Sequence, residues 1–129
     1  MENNKHEPIE SICYLFLEMA VSDGQASKLE IETVIELITD LMNSDKETQI
    51  LSKRSSTDAI IIVPHCYEVF VKNRSLDFLN THIMFLKDYL HDEEKTMKIN
   101  MLGYLAKIDD NVDEGEVRFF NHVKKAWDL

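Results

Sequence analysis

Five carboxylates in two short segments are the residues of this sequence whose types and spacing best suit chemistry. Asp23 precedes Glu30 by seven residues, and Asp109, with Asp110 beside it, precedes Glu116 by the same number. We interpret each segment as a junction between two helices, which places the aspartates at a helix C-terminus, where an acidic side chain typically costs about 0.3–1 kcal/mol. Carboxylate and free carbonyl oxygens are the ligands that Ca²⁺ and Mg²⁺ prefer. The pattern therefore predicts a divalent-cation site formed by these five residues, with Ca²⁺ or Mg²⁺ favoured over Zn²⁺.

Part of the same pattern is explained by helix ends alone, without any metal. Ser27 with Glu30, and Asp113 with Glu116, have the spacing of a capping box, in which the two side chains satisfy unpaired backbone N–H groups at a helix start. Gly24 is typical of a helix end, because glycine adopts the left-handed conformation found there. Glu30 and Glu116 therefore have two interpretations, as capping residues and as metal ligands.

An ordinary EF-hand does not fit these segments, although Asp-Gly-x-apolar-x-x-x-Glu equals the second half of its loop. The first loop position would be Met19 in one copy and Leu105 in the other, and the third would be Val21 and Lys107. None of these side chains supplies the carboxylate that an EF-hand requires. Each loop alone offers too few ligands, so we expect the two loops to cooperate or to retain several waters.

The two segments belong to an internal repeat with an offset of 86 residues. Ala20 corresponds to Ala106, and the flanking apolar positions agree as well: Phe16 with Leu102, Ile31 with Val117, Val34 with Phe120, and Leu37 with Val123. The repeat predicts one helix–loop–helix unit at about 9–43 and a second at about 93–128, related by an approximate twofold.

Apolar residues recur at helical spacing along most of the chain. They predict helices at about 9–22, 28–43, 45–54, 76–90, 93–108 and 114–128. The first helix has a single apolar face made by Ile9, Ile12, Cys13, Phe16 and Ala20. The apolar side of the helix at 93–108 consists of Met97, Met101, Leu105 and Ile108.

The segment 58–73 fits two interpretations. Residues 60–63, Ile-Ile-Ile-Val, have strand propensity, and Pro64 would interrupt a central strand or kink a helix. We interpret the segment as a kinked or split helix, because no second strand exists to pair with it. The sequence therefore predicts an all-α fold: a compact single-domain bundle of about six to eight helices spanning residues 1–129.

Composition and charge limit the function classes. The chain has 129 residues with only 3 Gly and 2 Pro, too few turn residues for a many-stranded sandwich or barrel. Its 24 acidic and 14 basic residues give a net charge of −10, which opposes binding to nucleic acid or anionic lipid. We find no secretory signal and no apolar run near the roughly 20 residues that span a bilayer. We expect a cytoplasmic protein that binds no nucleic acid and does not insert into membranes.

The remaining candidates for chemistry are weaker. Cys13 and Cys66 lack the spacing of a redox or metal motif, and we expect two buried free thiols. The five histidines have no metal-ligand spacing, and the sequence contains neither a glycine-rich phosphate loop nor a nucleophile elbow. We therefore do not expect an enzyme.

The repeat that contains the acidic segments resembles the TerB-like family. The members of this family are cytoplasmic helical domains associated with bacterial tellurite resistance. That family has Ala-x-x-Asp-Gly-x-apolar-x-x-x-Glu between two helices near both ends of the domain. Asp23, Gly24 and Glu30 match the first copy, and Asp109 and Glu116 match the second. The resemblance implies a divalent cation at the acidic loops and a bacterial stress-response role.

Two positions depart from the family pattern. Asp110 stands where glycine is usual, and Ala26 is smaller than the usual Ile or Val, but neither change removes a carboxylate. The family name describes a phenotype and not a reaction. The sequence therefore predicts a non-enzymatic, cation-binding module with a protein partner. Two alternatives stay open: a metal-free domain that binds a partner through an apolar groove, and an enzyme whose carboxylates hold a catalytic metal.

Overall fold

The structure, a computed structural model, describes residues 8–20, 28–44, 59–107 and 114–129. These ranges form six α-helices and no strand, which confirms the predicted all-α fold. The helices are α1 (Pro8–Ala20), α2 (Lys28–Ser44), α3 (Ala59–Asn73), α4 (Leu76–Tyr89), α5 (Asp92–Lys107) and α6 (Glu114–Ala126). The predicted helix at 45–54 lies outside the described residues. Within the described ranges, no helix combines the length and the apolar character needed to cross a membrane.

Residues 59–73 form one uninterrupted helix, with Pro64 inside it. The helical interpretation of this segment is therefore right, and the helix is not split. Ile62, Val63, Cys66 and Phe70 are buried and lie on one helical face, whereas Pro64 is exposed. A proline within a helix removes one backbone hydrogen bond, and burial of this apolar face offsets that loss.

Helix α1 is the centre of the fold, because it contacts each of the other five helices. Along residues 9–20, only Glu10 and Glu18 are partly exposed. The buried residues are Ile9, Ser11, Ile12, Cys13, Tyr14, Leu15, Phe16, Leu17, Met19 and Ala20. A helix that is apolar all round must be enclosed on every side. The prediction of a single apolar face on α1 was therefore too narrow.

The contact between α1 and α4 contains a buried polar pair. Ser11 Oγ lies 2.7 Å from His82 Nδ1, and both side chains are buried. The His82 ring also packs against Tyr14 and Phe78, with ring centroids 4.7 and 4.8 Å apart. The hydroxyl and the imidazole satisfy each other, which permits two polar groups in this interface.

Helix α5 presents an ion pair to the interior. The ammonium of Lys98 is bonded to the carboxylate of Glu94 one turn earlier, and Lys98 is only 1% exposed. On the predicted apolar side of this helix, Leu105 is buried but Met97 is exposed, and Ile108 lies outside the described residues. The buried face of α5 is therefore rotated from the predicted apolar side toward Lys98. Burial of the Lys98 charge is tolerated because Glu94 pairs with it.

The central position of α1 leads to a stability prediction. Leu17→Ala on α1 should lower the free energy of unfolding by about 2–5 kcal/mol, because the side chain is fully buried and a cavity would remain. Leu29→Ala, the same change at an exposed position of α2, should alter it by less than about 0.5 kcal/mol. Urea unfolding followed by circular dichroism measures both. Equal costs would show that α1 is not the enclosed centre of the fold.

Candidate functional site

Two of the five predicted cation ligands, Glu30 and Glu116, lie within the described residues. Each is the third residue of its helix, since α2 begins at Lys28 and α6 begins at Glu114. Both residues are buried, with exposed fractions of 8% and 4%, whereas Lys28 and Glu114 are exposed. The two glutamates therefore have the same place in their helices and the same burial.

Other positions related by the offset of 86 residues also share their burial. The pairs Phe16 and Leu102, Met19 and Leu105, and Ala20 and Ala106 are all buried. The first helices of the two units, α1 and α5, contact each other, and each contacts the second helix of its own unit. The shared burial is found in the first helices of the two units and does not extend to every pair in the second helices, since Val34 is buried whereas Phe120 is partly exposed.

The position of the two glutamates supports both capping and ligation. A carboxylate in the first helical turn is stabilised by the partial positive charge of the helix N-terminus. The third position is also where a capping-box glutamate reaches back to the preceding backbone. A carboxylate is also an oxygen ligand of the kind that Ca²⁺ and Mg²⁺ prefer, so the residue type at this position fits cation binding as well.

The other predicted ligands, Asp23, Asp109 and Asp110, lie outside the described residues. Among the residues that are described, no three His, Cys, Asp or Glu side chains come close enough together to hold a metal ion. Glu30 and Glu116 would therefore need the aspartates of the loops to complete a site. Glu116 also borders a small, mainly apolar cavity of about 220 Å³, whose lining includes Gly103, Val117 and Phe120.

The two thiols meet in the core, although they are 53 positions apart in the sequence. Cys13 of α1 and Cys66 of α3 are both free and buried. Burial raises the pKa of the Cys13 thiol well above its ordinary value, and the hydrogen bond with Cys66 raises it further. Burial also raises the pKa of the neighbouring Tyr14 phenol. A protonated, enclosed thiol is a poor nucleophile, so this pair is part of the core packing.

The structure has two surface concavities that the sequence did not predict. The first, here the α2–α5 groove, has a volume of about 380 Å³; its lining includes Glu36 and Asp40 of α2 and Met97, Met101 and Tyr104 of α5. The second, here the arginine pocket, has a volume of about 650 Å³; its lining includes Glu18, Arg74, Leu79, Arg118, Phe119 and His122. The walls of both come from helices distant in sequence, so local spacing contains no signal for them.

Comparison of this chain with protein families, with curated proteins and with solved structures finds no match.

Substitution of the two glutamates separates capping from ligation. If Glu30 and Glu116 only cap their helices, Glu→Gln at both positions should leave cation affinity unchanged, because glutamine makes the same backward hydrogen bond. If they ligate a cation, we expect both changes to weaken Ca²⁺ or Mg²⁺ binding at least tenfold and to leave the metal-free unfolding temperature nearly constant. Isothermal calorimetry and thermal unfolding measure the two quantities. Equal affinity before and after would remove both residues from the site.

Proposed function

We propose that this chain is a non-enzymatic helical module of TerB-like type that binds Ca²⁺ or Mg²⁺ at its two acidic inter-helix loops. The proposed ligands are Asp23, Glu30, Asp109, Asp110 and Glu116. The observation that supports this proposal is the burial of Glu30 and Glu116 at the same helical position of two repeated units.

The electrostatics of the loops supports a cation in particular. Each glutamate is the third residue of its helix, and an aspartate, Asp23 or Asp109, precedes it by seven residues in the sequence. We interpret these aspartates as lying near the end of the preceding helix. Helix C-termini have exposed carbonyl oxygens and a partial negative charge, so an aspartate there lacks the compensation that a helix start gives a glutamate. A divalent cation would neutralise the aspartates and use those carbonyl oxygens as further ligands. The net charge of −10 also raises the local concentration of cations.

The resemblance to TerB-like domains is the basis for a proposed cellular role of this module. We propose a cytoplasmic role in a bacterial stress response of the kind associated with tellurite resistance. In that role the cation would fix the relative position of the two helical units, and a partner protein would bind the ordered surface.

The cation site leads to a prediction for Asp23→Asn. Ca²⁺ or Mg²⁺ at 100 times its dissociation constant should stabilise the unchanged protein by about 2.7 kcal/mol, because it binds only the folded state. Asp23→Asn should abolish this stabilisation and leave the metal-free unfolding temperature unchanged or slightly higher, since it removes an uncompensated charge. Glu68→Gln, on the exposed side of α3, is the matched control and should retain the full shift. Differential scanning calorimetry with and without each cation measures the effect.

The opposite result is equally specific. A lower metal-free unfolding temperature for Asp23→Asn, with no cation-dependent shift in any of the proteins, would make Asp23 a local hydrogen-bonding residue of the turn. The cation site would then be abandoned.

The α2–α5 groove favours a second candidate function, the docking of a basic amphipathic helix from a partner protein. Its lining includes the carboxylates of Glu36 and Asp40 and no lysine or arginine. Met97 and Met101 lie on the other wall with Tyr104, which is 57% exposed. Methionine side chains adapt to varied apolar partners, and an exposed tyrosine supplies a large contact area. A helix with leucines on one face and lysines beside them complements both walls.

A synthetic helical peptide of leucine and lysine, labelled with fluorescein, tests this docking by fluorescence anisotropy. We expect Tyr104→Ala, and separately the pair Glu36→Gln with Asp40→Asn, to weaken binding about tenfold. The pair Glu68→Gln with Asp88→Asn removes the same charge from exposed positions outside the groove and should change the affinity much less. Equal losses for the two pairs, with no effect of Tyr104→Ala, would reduce the interaction to unspecific attraction by an acidic protein.

A further inference from the structure

The arginine pocket opens where α1, the junction of α3 with α4, and α6 come together. Its apolar lining includes Leu79 and Phe119, which are buried, and Leu76, which is exposed. Arg74, Arg118 and His122 contribute the nitrogen-containing groups of the lining. Sites for small molecules usually have this combination: a volume of roughly 300–1,000 Å³, mostly apolar walls and a few polar groups that fix the ligand.

The charge of this pocket is opposite in sign to that of the chain. The sequence contains three arginines, and two of them, Arg74 and Arg118, line the pocket. Glu18 is the one acidic residue of its lining, so the cationic groups are in excess even with His122 neutral. The α2–α5 groove, by comparison, is lined by two carboxylates and by no cationic group. The arginine pocket thus has an excess of cationic groups although the chain as a whole is acidic.

Arg74 is held in a fixed orientation. Its Nε and Nη2 donate hydrogen bonds to the two carboxylate oxygens of Glu18, at 2.8 and 3.0 Å. Its guanidinium also lies over the Phe70 ring, 5.5 Å from the centroid. A guanidinium has five N–H donors, so this bidentate contact leaves donors for a ligand while keeping the group in place.

Arg118 is held only weakly. Its contact with Glu114 spans 3.8 Å, and the two side chains are 78% and 92% exposed. An exposed ion pair of this kind contributes little, so the guanidinium can turn toward a ligand at low cost. His122 Nε2 lies 2.7 Å from Asn80 Oδ1, which orients the imidazole ring beside the pocket.

We propose that the arginine pocket binds a small organic anion, a carboxylate attached to an apolar body. The carboxylate would pair with Arg118 and with the remaining donors of Arg74, and the apolar body would pack against Leu76, Leu79 and Phe119. Guanidinium groups suit this role because their planar donors match the two oxygens of a carboxylate. The apolar walls favour such a ligand over inorganic phosphate, which has no apolar part to bury.

Three soluble probes test the chemistry: hexanoate, hexanamide and acetate. Hexanamide keeps the apolar body and lacks the charge, whereas acetate keeps the charge and lacks the body. In ligand-observed NMR titrations in metal-free buffer, we expect hexanoate to bind at least tenfold more tightly than either of the others. Equal binding of hexanoate and hexanamide would overturn the assignment of an anion site, and undetectable binding of hexanoate would overturn the pocket as a ligand site.

Single substitutions test whether hexanoate binds in the arginine pocket. Arg118→Gln should weaken hexanoate binding about tenfold, and Lys125→Gln, which removes the same charge from an exposed position of the same helix outside the pocket, should leave it unchanged. Leu76→Ala should weaken binding of hexanoate and hexanamide alike, because it shortens the apolar wall. Equal effects of Arg118→Gln and Lys125→Gln would show that the anion responds to overall charge and not to this pocket.

The carboxylate has two natural sources, which a further titration distinguishes. An N-acetylated tetrapeptide that ends in Val-Leu with a free carboxylate, compared with its C-terminal amide, represents a chain end. Tighter binding of this carboxylate than of hexanoate would identify the terminus of a polypeptide as the ligand. Preference for hexanoate would identify a small organic acid.

Discussion

The enclosure of α1 is the constraint on which the rest of the structure depends. Because α1 contacts all five of the other described helices, each of those helices must direct an apolar stripe toward α1. Two polar groups that α1 retains are compensated by neighbours, Ser11 by His82 and Glu18 by Arg74. The second of these contacts ties the centre of the fold to the arginine pocket: the carboxylate that fixes Arg74 belongs to the central helix.

The same arrangement explains why the two surface concavities differ in charge. Helices that pack around a common centre diverge at their outer edges, and grooves form at those edges. The groove between α2 and α5 lies beside the exposed, carboxylate-rich side of α2, so it is acidic. The arginine pocket lies where the arginine after α3 meets the first turns of α6, and it collects cationic groups. The proposed docking of a basic helix and the proposed binding of a small anion thus concern surfaces whose linings have opposite charge.

The bounds of most helices could be predicted because their signals are local. Pro64 was correctly assigned to a helix since no partner strand was available, and Ser75 caps α4 through its hydroxyl. The burial of Lys98 could not be predicted, because a lysine normally indicates a solvent-exposed face and only its pairing with Glu94 reverses that expectation. The arginine pocket brings together Arg74 and Arg118, 44 positions apart, and no local spacing encodes that proximity. Of the predicted cation ligands, only Glu30 and Glu116 lie within the described residues, and ligation by all five residues stays a prediction.

The first helices of the two repeated units differ in how completely they are apolar. At the offset of 86 residues, Ile12 of α1 corresponds to Lys98 of α5, and Leu17 corresponds to Gly103. The first unit thus supplies the enclosed apolar helix, whereas the second has a paired charge and a missing side chain at equivalent positions. Gly103 lies close to the ring of Phe120, since a Cβ added to it would be 3.5 Å from the ring, and both residues border the small cavity that Glu116 also borders. In the second unit, Glu116 thus borders open volume, whereas α1 of the first unit is the enclosed helix that contacts all the other described helices.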